Sequence, residues 1–124
     1  MSAEAETVVT NFCKAWSRLD ANEVMGFFTD DALYHNIPMK PAHGKEAILK
    51  VVNGLLKGTT LLEFKILHTA SNGNVVFNER VDTAETNGKR ASLPVVGVFE
   101  VTPAGKISAW RDYFDLEMFL KQIR

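Results

Sequence analysis

The spacing of apolar residues changes along the chain, from a helical period in the first half to alternation in the second. Val8 or Val9 is followed by Phe12, Trp16 and Leu19 at intervals of three or four residues. This is the spacing of one face of an amphipathic helix. The pattern predicts an N-terminal helix whose apolar face is turned toward the core.

Two more helices and one strand are predicted in the rest of the first half. A short second helix is capped by Asp20 or Asn22 and carries the apolar set Val24, Phe27 and Phe28. Residues 32–37 are expected to form a strand, because a proline follows them. Residues 44–56 are expected to form a longer helix, with Gly58 as its C-terminal stop.

The second half alternates apolar and polar residues, which predicts strands. The Asn87-Gly88 pair is the strongest hairpin signal in the chain. Asp115 is placed to cap a final helix that carries Leu116, Phe119 and Leu120. The predicted strands cover residues 61–69, 75–85, 91–101 and 107–114.

Helices followed by strands in this order predict an α+β fold with a curved, mostly antiparallel sheet wrapped over the N-terminal helices. The length of 124 residues fits a single domain, residues 1–124. A sheet that bends over helices leaves a concave pocket, which suits a small ligand.

Composition and charge exclude several classes of partner. Lys and Arg total 14 against 15 for Asp and Glu, and no basic patch is present, so neither nucleic acid nor a membrane is expected as a partner. The N-terminal residues lack the pattern of a signal peptide, and Cys13 is the only cysteine. Both observations favour a cytoplasmic protein without disulfides. His35, His43 and His68 do not have metal-ligand spacing, so no metal or other cofactor is expected.

One acidic residue falls on an aromatic strand face. Residues two apart on a strand share a face, so Asp112 lies between Trp110 and Phe114 in the last strand. A carboxylate among aromatic rings is desolvated, which strengthens it as a base once it is ionised. A structural aspartate paired with a buried arginine explains the pattern equally well.

Two further pairs of polar residues share a strand face. Arg80 and Asp82 lie together on one predicted strand, where spacing alone favours an exposed ion pair. A buried Arg80 would instead need carboxylate partners. Tyr34 and Asn36 share a face of the first strand and could hold one water molecule. A half-buried strand with satisfied polar tips is the commoner explanation of such a pair.

These residues resemble the limonene-1,2-epoxide hydrolase family. The resemblance follows the same order over nearly the whole chain. It rests on YHNIP at residues 34–38, NERVD at 78–82, GVF at 97–99 and WRDYFD at 110–115.

The resemblance implies a cone-shaped fold like that of nuclear transport factor 2, a homodimer, and five catalytic residues. Asp112 would be the general base that takes a proton from water. Tyr34 and Asn36 would hold that water, and Asp82 would protonate the epoxide oxygen. Arg80 would bridge the two carboxylates. All five positions are filled in this chain.

The expected activity is cofactor-free hydrolysis of a small hydrophobic epoxide to a vicinal diol, with water as the second substrate. Five apolar residues are expected to bind the substrate: Trp110, Leu93, Val95, Phe114 and Phe119. Two alternatives remain open. One is an isomerase or cyclase of the same fold, in which one aspartate moves a proton on a steroid or polyketide. The other is a non-catalytic module that binds a hydrophobic ligand or dimerises.

Overall fold

The computed structural model describes residues 2–124. One sheet is covered on its inner face by helices. In chain order the elements are α1 (Ser2–Ala15), a 3-10 turn (Trp16–Arg18), α2 (Ala21–Met25), β1 (Phe28–Asn36), β2 (Ala42–His43), α3 (Gly44–Leu56), β3 (Thr59–Asn72), β4 (Val75–Thr86), β5 (Lys89–Val101), β6 (Ile107–Tyr113) and α4 (Leu116–Ile123).

The first two helices end earlier than the sequence predicted. The helix ends at Ala15, and the following 3-10 turn stops at Leu19, whose φ of 56° is left-handed. Asp20 caps α2 by accepting hydrogen bonds from the next turn, but α2 ends at Met25. The prediction that Phe27 and Phe28 lie on this helix was wrong. Phe28 begins β1 and is 1% exposed. A strand buries this side chain in the core as well as a helix would, so its apolar character did not distinguish the two.

The sheet is mixed, with the order β2-β1-β6-β5-β4-β3. β1 and β6 run parallel, and every other neighbouring pair is antiparallel. The predicted hairpin between β4 and β5 is present. Asn87 and Gly88 both have positive φ, at 53° and 81°, as a two-residue hairpin turn requires. The two-residue strand β2 was not predicted.

The core lies between the inner face of the sheet and helices α1 and α3. Phe12 of α1 meets Trp110 of β6 edge to face, with 4.9 Å between ring centroids. Trp110 also stacks against Phe99 of β5 at 5.7 Å. The open space on this face of the sheet is lined by residues of the β4–β5 hairpin and of α4.

The last helix closes that open side. β5 extends beyond the end of its partner β6, which leaves an unpaired strand edge near Ser92. Gln122 of α4 bonds to this edge, accepting from Ser92 N and donating to Ser92 O, each at 2.8 Å. At the other end of α4, Asp115 accepts a hydrogen bond from Met118 N at 3.1 Å. Both ends of α4 are thereby fixed over the sheet.

None of the helices within residues 2–124 combines the length and apolar character needed to cross a membrane.

Candidate active site

A cavity of about 730 Å³ lies between the inner face of the sheet and helices α3 and α4. Most of its lining is apolar. The polar exceptions beside the core are Tyr34, Asn36, Asp82 and Asp112. Four of the five predicted catalytic residues therefore face one space, and the fifth, Arg80, lies beneath them.

Arg80 is completely buried and joins the two aspartates. Its Nε donates to Asp82 Oδ1 at 2.9 Å, and its Nη2 donates to Asp82 Oδ2 at 2.8 Å. The same Nη2 donates to Asp112 Oδ2 at 2.8 Å. Since both carboxylate oxygens contact one nitrogen, they are no more than twice that distance apart. The guanidinium also lies 4.8 Å from the centroid of the Phe64 ring, a cation–π contact.

The interpretation of Arg80 and Asp82 as an exposed ion pair was wrong. Arg80 is 0% exposed, and the Asp82 side chain is 17% exposed. Both faces of β4 carry apolar residues, so alternation could not identify the inner face. A buried guanidinium is stable here because charge-assisted hydrogen bonds to two carboxylates compensate its desolvation.

Burial and charge set the protonation of this cluster. Burial raises the pKa of Asp82 from 3.8 to about 6, although Arg80 opposes the shift and Asp112 adds to it. Burial alone would lower the pKa of Arg80, but Asp112 and Asp82 outweigh it and hold that pKa well above the usual value. Arg80 therefore stays charged, while Asp82 can hold a proton close to neutral pH.

Tyr34 and Asn36 stand beside Asp112. Asn36 is paired with Asp112 across the parallel strands β1 and β6, and Tyr34 is paired with Trp110. Asn36 Nδ2 donates to Tyr34 Oη at 3.0 Å. Burial and the charge of Asp112 raise the pKa of Tyr34, so its hydroxyl stays protonated. The Tyr34 hydroxyl in turn donates to Asn36 Oδ1 over 3.4 Å, a long contact that a water molecule placed between the two groups could replace.

Four of the predicted substrate-binding residues line the cavity: Leu93, Val95, Phe114 and Phe119. The prediction for Trp110 was wrong. This residue is completely buried behind Tyr34, on which it stacks at 4.2 Å with an interplanar angle of 4°. The sequence placed Trp110 on the correct strand face but could not show that Tyr34 covers it.

Trp110 instead contacts the predicted base directly. Its Nε1 donates to Asp112 Oδ1 at 2.7 Å, so Asp112 accepts one hydrogen bond on each oxygen. The spacing of two residues on one strand was a signal for this contact, because side chains on the same face are adjacent. Some of the remaining lining residues lie on strands, such as Leu62, Phe64 and Ala91. Others come from helices and could not be assigned from strand alternation. They include Val51, Leu55, Leu116, Leu120 and Ile123.

Within residues 2–124, no three or more His, Cys, Asp and Glu side chains are grouped so that they could hold a metal ion.

Comparisons with known proteins place this geometry in a family. Residues 3–124 match the sequence model of the limonene-1,2-epoxide hydrolase catalytic domain. The chain is 32% identical over 117 residues to epoxide hydrolase EphG of Mycobacterium tuberculosis, covering 94% of this chain and 77% of that protein.

Solved structures share the fold. The structure of an M. tuberculosis epoxide hydrolase of the limonene-epoxide-hydrolase-like type superposes with a TM-score of 0.85 at 28% identity, covering 98% of this chain and 93% of that one. The epoxide hydrolase/cyclase-like enzyme SalBIII, described in pyran ring formation in the polyether salinomycin, gives a TM-score of 0.84 at 18% identity, with 93% of each chain covered. The second match supports the fold alone. Together with the observed architecture, the matches confirm the predicted α+β cone.

Proposed function

Because the chain belongs to the limonene-1,2-epoxide hydrolase family, we propose that it converts a hydrophobic epoxide to a vicinal diol in one step, with water as the nucleophile. One observation supports this mechanism above the others. A single buried nitrogen, Arg80 Nη2, contacts two carboxylates that face the same cavity. Acid and base can then act on one small substrate from fixed positions.

In the proposed reaction, Tyr34 and Asn36 hold a water molecule beside Asp112. Asp112 takes a proton from this water while the oxygen of the water forms a bond to one epoxide carbon. The C–O bond at that carbon breaks, and the released oxygen takes the proton of Asp82. The product is a diol. A proton then passes from Asp112 back to Asp82, which restores the starting state.

The charge of the cluster supports opposite tasks for the two aspartates. With both carboxylates ionised, Arg80 leaves one negative charge uncompensated inside the protein. One proton on either carboxyl group makes the cluster neutral, which costs less in a buried site. The raised pKa of Asp82, about 6, supports Asp82 as the group that holds this proton and acts as the proposed acid.

The substrate we propose is a small hydrophobic epoxide, such as a terpene epoxide. Beside the polar residues Tyr34, Asn36, Asp82 and Asp112, the cavity wall includes Leu93, Val95 and the aromatic residues Phe114 and Phe119. An apolar wall favours the hydrocarbon part of a substrate, and the polar end fixes the position of the epoxide.

The decisive experiment is a panel of cyclic and linear epoxides assayed for diol, with no metal or cofactor added and with a chelator present in a parallel sample. A single turnover in isotopically labelled water should place the label in the diol and none in the protein. Label recovered in an aspartate would contradict direct attack by water. Closure of epoxy alcohols without any diol formation would favour a cyclase.

The protein is also proposed to form a homodimer through the outer face of the sheet. Four residues on neighbouring strands form an exposed or half-exposed apolar surface, the outer patch: Phe77, Val96, Val98 and Tyr113. Glu79 pairs with Val96 and Arg111 pairs with Val98, so opposite charges border the outer patch. A surface with both charges can pair with a second copy of itself related by a twofold axis. The cytoplasmic location expected from the sequence stays a prediction.

A further inference from the structure

The Arg80 guanidinium crosses a strand to reach Asp112, and that strand has a glycine at the crossing. β5 lies between β4, which carries Arg80, and β6, which carries Asp112. Asn78, Gly97 and Asp112 form one row across these three strands. A Cβ atom at Gly97 would lie 2.4 Å from Arg80 Nη1 and 2.9 Å from Asp112 Oδ1. Any larger residue at Gly97 would occupy the space in which the guanidinium and the carboxylate meet.

Asn78 holds the end of the guanidinium that the carboxylates do not reach. It is 2% exposed, and its Oδ1 accepts a hydrogen bond from Arg80 Nη1 at 3.0 Å. The aspartates occupy Nε and Nη2. A guanidinium bonded along both edges cannot turn in its plane without breaking charge-assisted hydrogen bonds.

Cys13 of α1 orients the Asn78 amide from the helix side. Asn78 Nδ2 lies 3.6 Å from Cys13 Sγ, a weak hydrogen bond of the kind sulfur accepts. Burial raises the pKa of the Cys13 thiol to about 12, so the sulfur adds no charge to the cluster. With Nδ2 facing sulfur, the amide presents its oxygen to Arg80.

We propose that Asn78 is a positioning residue for the two-aspartate site, and that Gly97 provides the opening in which it acts. Together they hold Arg80 where one nitrogen contacts both carboxylates. The proposal rests on the proposed function, since the bridge matters to catalysis only if one aspartate keeps its proton while the other acts as base. In the described hydrogen bonds Asn78 contacts Arg80 and Cys13, so its effect on the aspartates passes through Arg80.

The test replaces a neutral residue by another neutral residue and measures the protonation of Asp82. Asn78→Leu leaves every titratable group around position 78 in place: Cys13 on α1, Arg80 and Asp82 on β4, and Asp112 on β6. Because Arg80 lowers the pKa of Asp82, releasing the guanidinium should raise that pKa by about 0.5–1 unit. Carbon-13 NMR of the Asp82 carboxyl group measures this shift without any substrate.

The same variant is then assayed with an epoxide that the wild-type protein opens. We expect kcat to fall about 10–100-fold with KM changed less than about twofold, because the cavity wall is untouched. Gly97→Ala should produce both effects from the opposite side of the guanidinium. The fall in kcat of the double variant should be smaller than the two single falls multiplied together, since both substitutions displace the same guanidinium, that of Arg80. Asn11→Leu on the exposed face of α1 is the matched control and should change nothing.

Each outcome decides a separate question. A folded Asn78→Leu protein with unchanged Asp82 pKa overturns the positioning role, and so does a rise in KM at constant kcat. If Asn78→Leu does not fold, Gly97→Ala carries the same NMR measurement. If the wild-type protein opens no epoxide, the proposed function fails, while the NMR shift still decides the role of Asn78.

Discussion

The proposed reaction depends on which of two neighbouring carboxyl groups holds a proton. Asp82 and Asp112 both contact Arg80, yet their surroundings differ. Asp112 accepts one hydrogen bond from Arg80 and one from the Trp110 indole. Asp82 has no such indole donor among the described hydrogen bonds and has its pKa raised by burial. The two carboxylates therefore differ in their donors, which are Arg80 alone for Asp82 and Arg80 with Trp110 for Asp112.

Removing either carboxyl group should stop the reaction. We expect Asp112→Asn and Asp82→Asn each to lower kcat by about 10²–10⁴-fold, the usual contribution of a general base or acid. The amide retains the shape of the side chain but can neither accept the proton of water nor protonate the epoxide oxygen. Diol formation measured by chromatography, with circular dichroism as a check on folding, tests this expectation. Turnover close to wild type in either variant would contradict the assigned role.

The protonation of Asp82 should also appear in the stability of the protein. Its pKa is about 6 in the folded state, against 3.8 ordinarily, so the folded state binds the proton more tightly. Its contribution to stability is therefore present below about pH 4 and is lost as pH rises to about 6, by about 3 kcal/mol in total. Urea unfolding of wild type and Asp82→Asn between pH 4 and 7 measures this. The difference between the two proteins should change with pH in this window, and a constant difference would show that Asp82 has an ordinary pKa.

At the scale of single residues, the sequence indicated which residues are candidates for catalysis. It indicated less well how buried each of them is. Alternation placed Asp112 on an aromatic face. It could not decide the inner face of β4, because Val76 and Val81 lie on opposite sides. Burial of Arg80 depends on residues of β5 and β6 that are distant in sequence. The family resemblance supplied the assignment that local spacing could not.

At the scale of elements, the sequence predicted best those segments whose ends carry their own signals. α3 was expected at residues 44–56 and is found at Gly44–Leu56, and the Asn87-Gly88 turn was placed correctly. The predicted boundary between α2 and β1 was wrong, because two adjacent phenylalanines fit the spacing of a helix and that of a strand equally well. β2 is only two residues long and forms through pairing with β1, so local pattern contains no sign of it.

The cap of α4 should affect substrate binding because this helix forms one wall of the cavity. Asp115→Ala removes the hydrogen bond to Met118 N and should cost about 1 kcal/mol of helix stability. A loosened α4 should raise KM several-fold while kcat changes little, since the five proposed catalytic residues lie on strands. Steady-state kinetics on a substrate that the wild-type protein opens would measure both.

Asp20→Ala is the matched control for this variant. Asp20 caps α2 with the same type of hydrogen bond, but α2 contributes no residue to the cavity lining. The Asp20→Ala substitution should lower the melting temperature to a similar extent and leave KM unchanged. Equal changes of KM in the two variants would mean that general loosening, rather than the wall, is responsible.

At the scale of the whole molecule, the sequence indicated the α+β class but not how the sheet is ordered. β1 lies between β2 and β6, with β6 running parallel to it, so the first long strand pairs with the last. No local signal specifies such a pairing. It is nevertheless the pairing that brings Asn36 beside Asp112 and joins the two halves of the site.

The outer patch should decide the oligomeric state. Val96 is 44% exposed and central to the patch, so Val96→Lys should bury a charge at the proposed interface and produce monomers. Met118→Lys is the control, because Met118 is 41% exposed but lies on α4. Light scattering coupled to gel filtration distinguishes the outcomes. A wild-type protein that is monomeric at high concentration would refute the homodimer.

The pairing of β1 with β6 also has a consequence for biosynthesis. The ribosome makes the residues proposed to hold the water, Tyr34 and Asn36, long before it makes Asp112. Contacts between segments so far apart in sequence form slowly, because a long loop must close first. A nascent chain that has already folded its first helices would thus have no assembled catalytic centre. Competence to react with an epoxide would be acquired only after β6 has been made and has paired with β1.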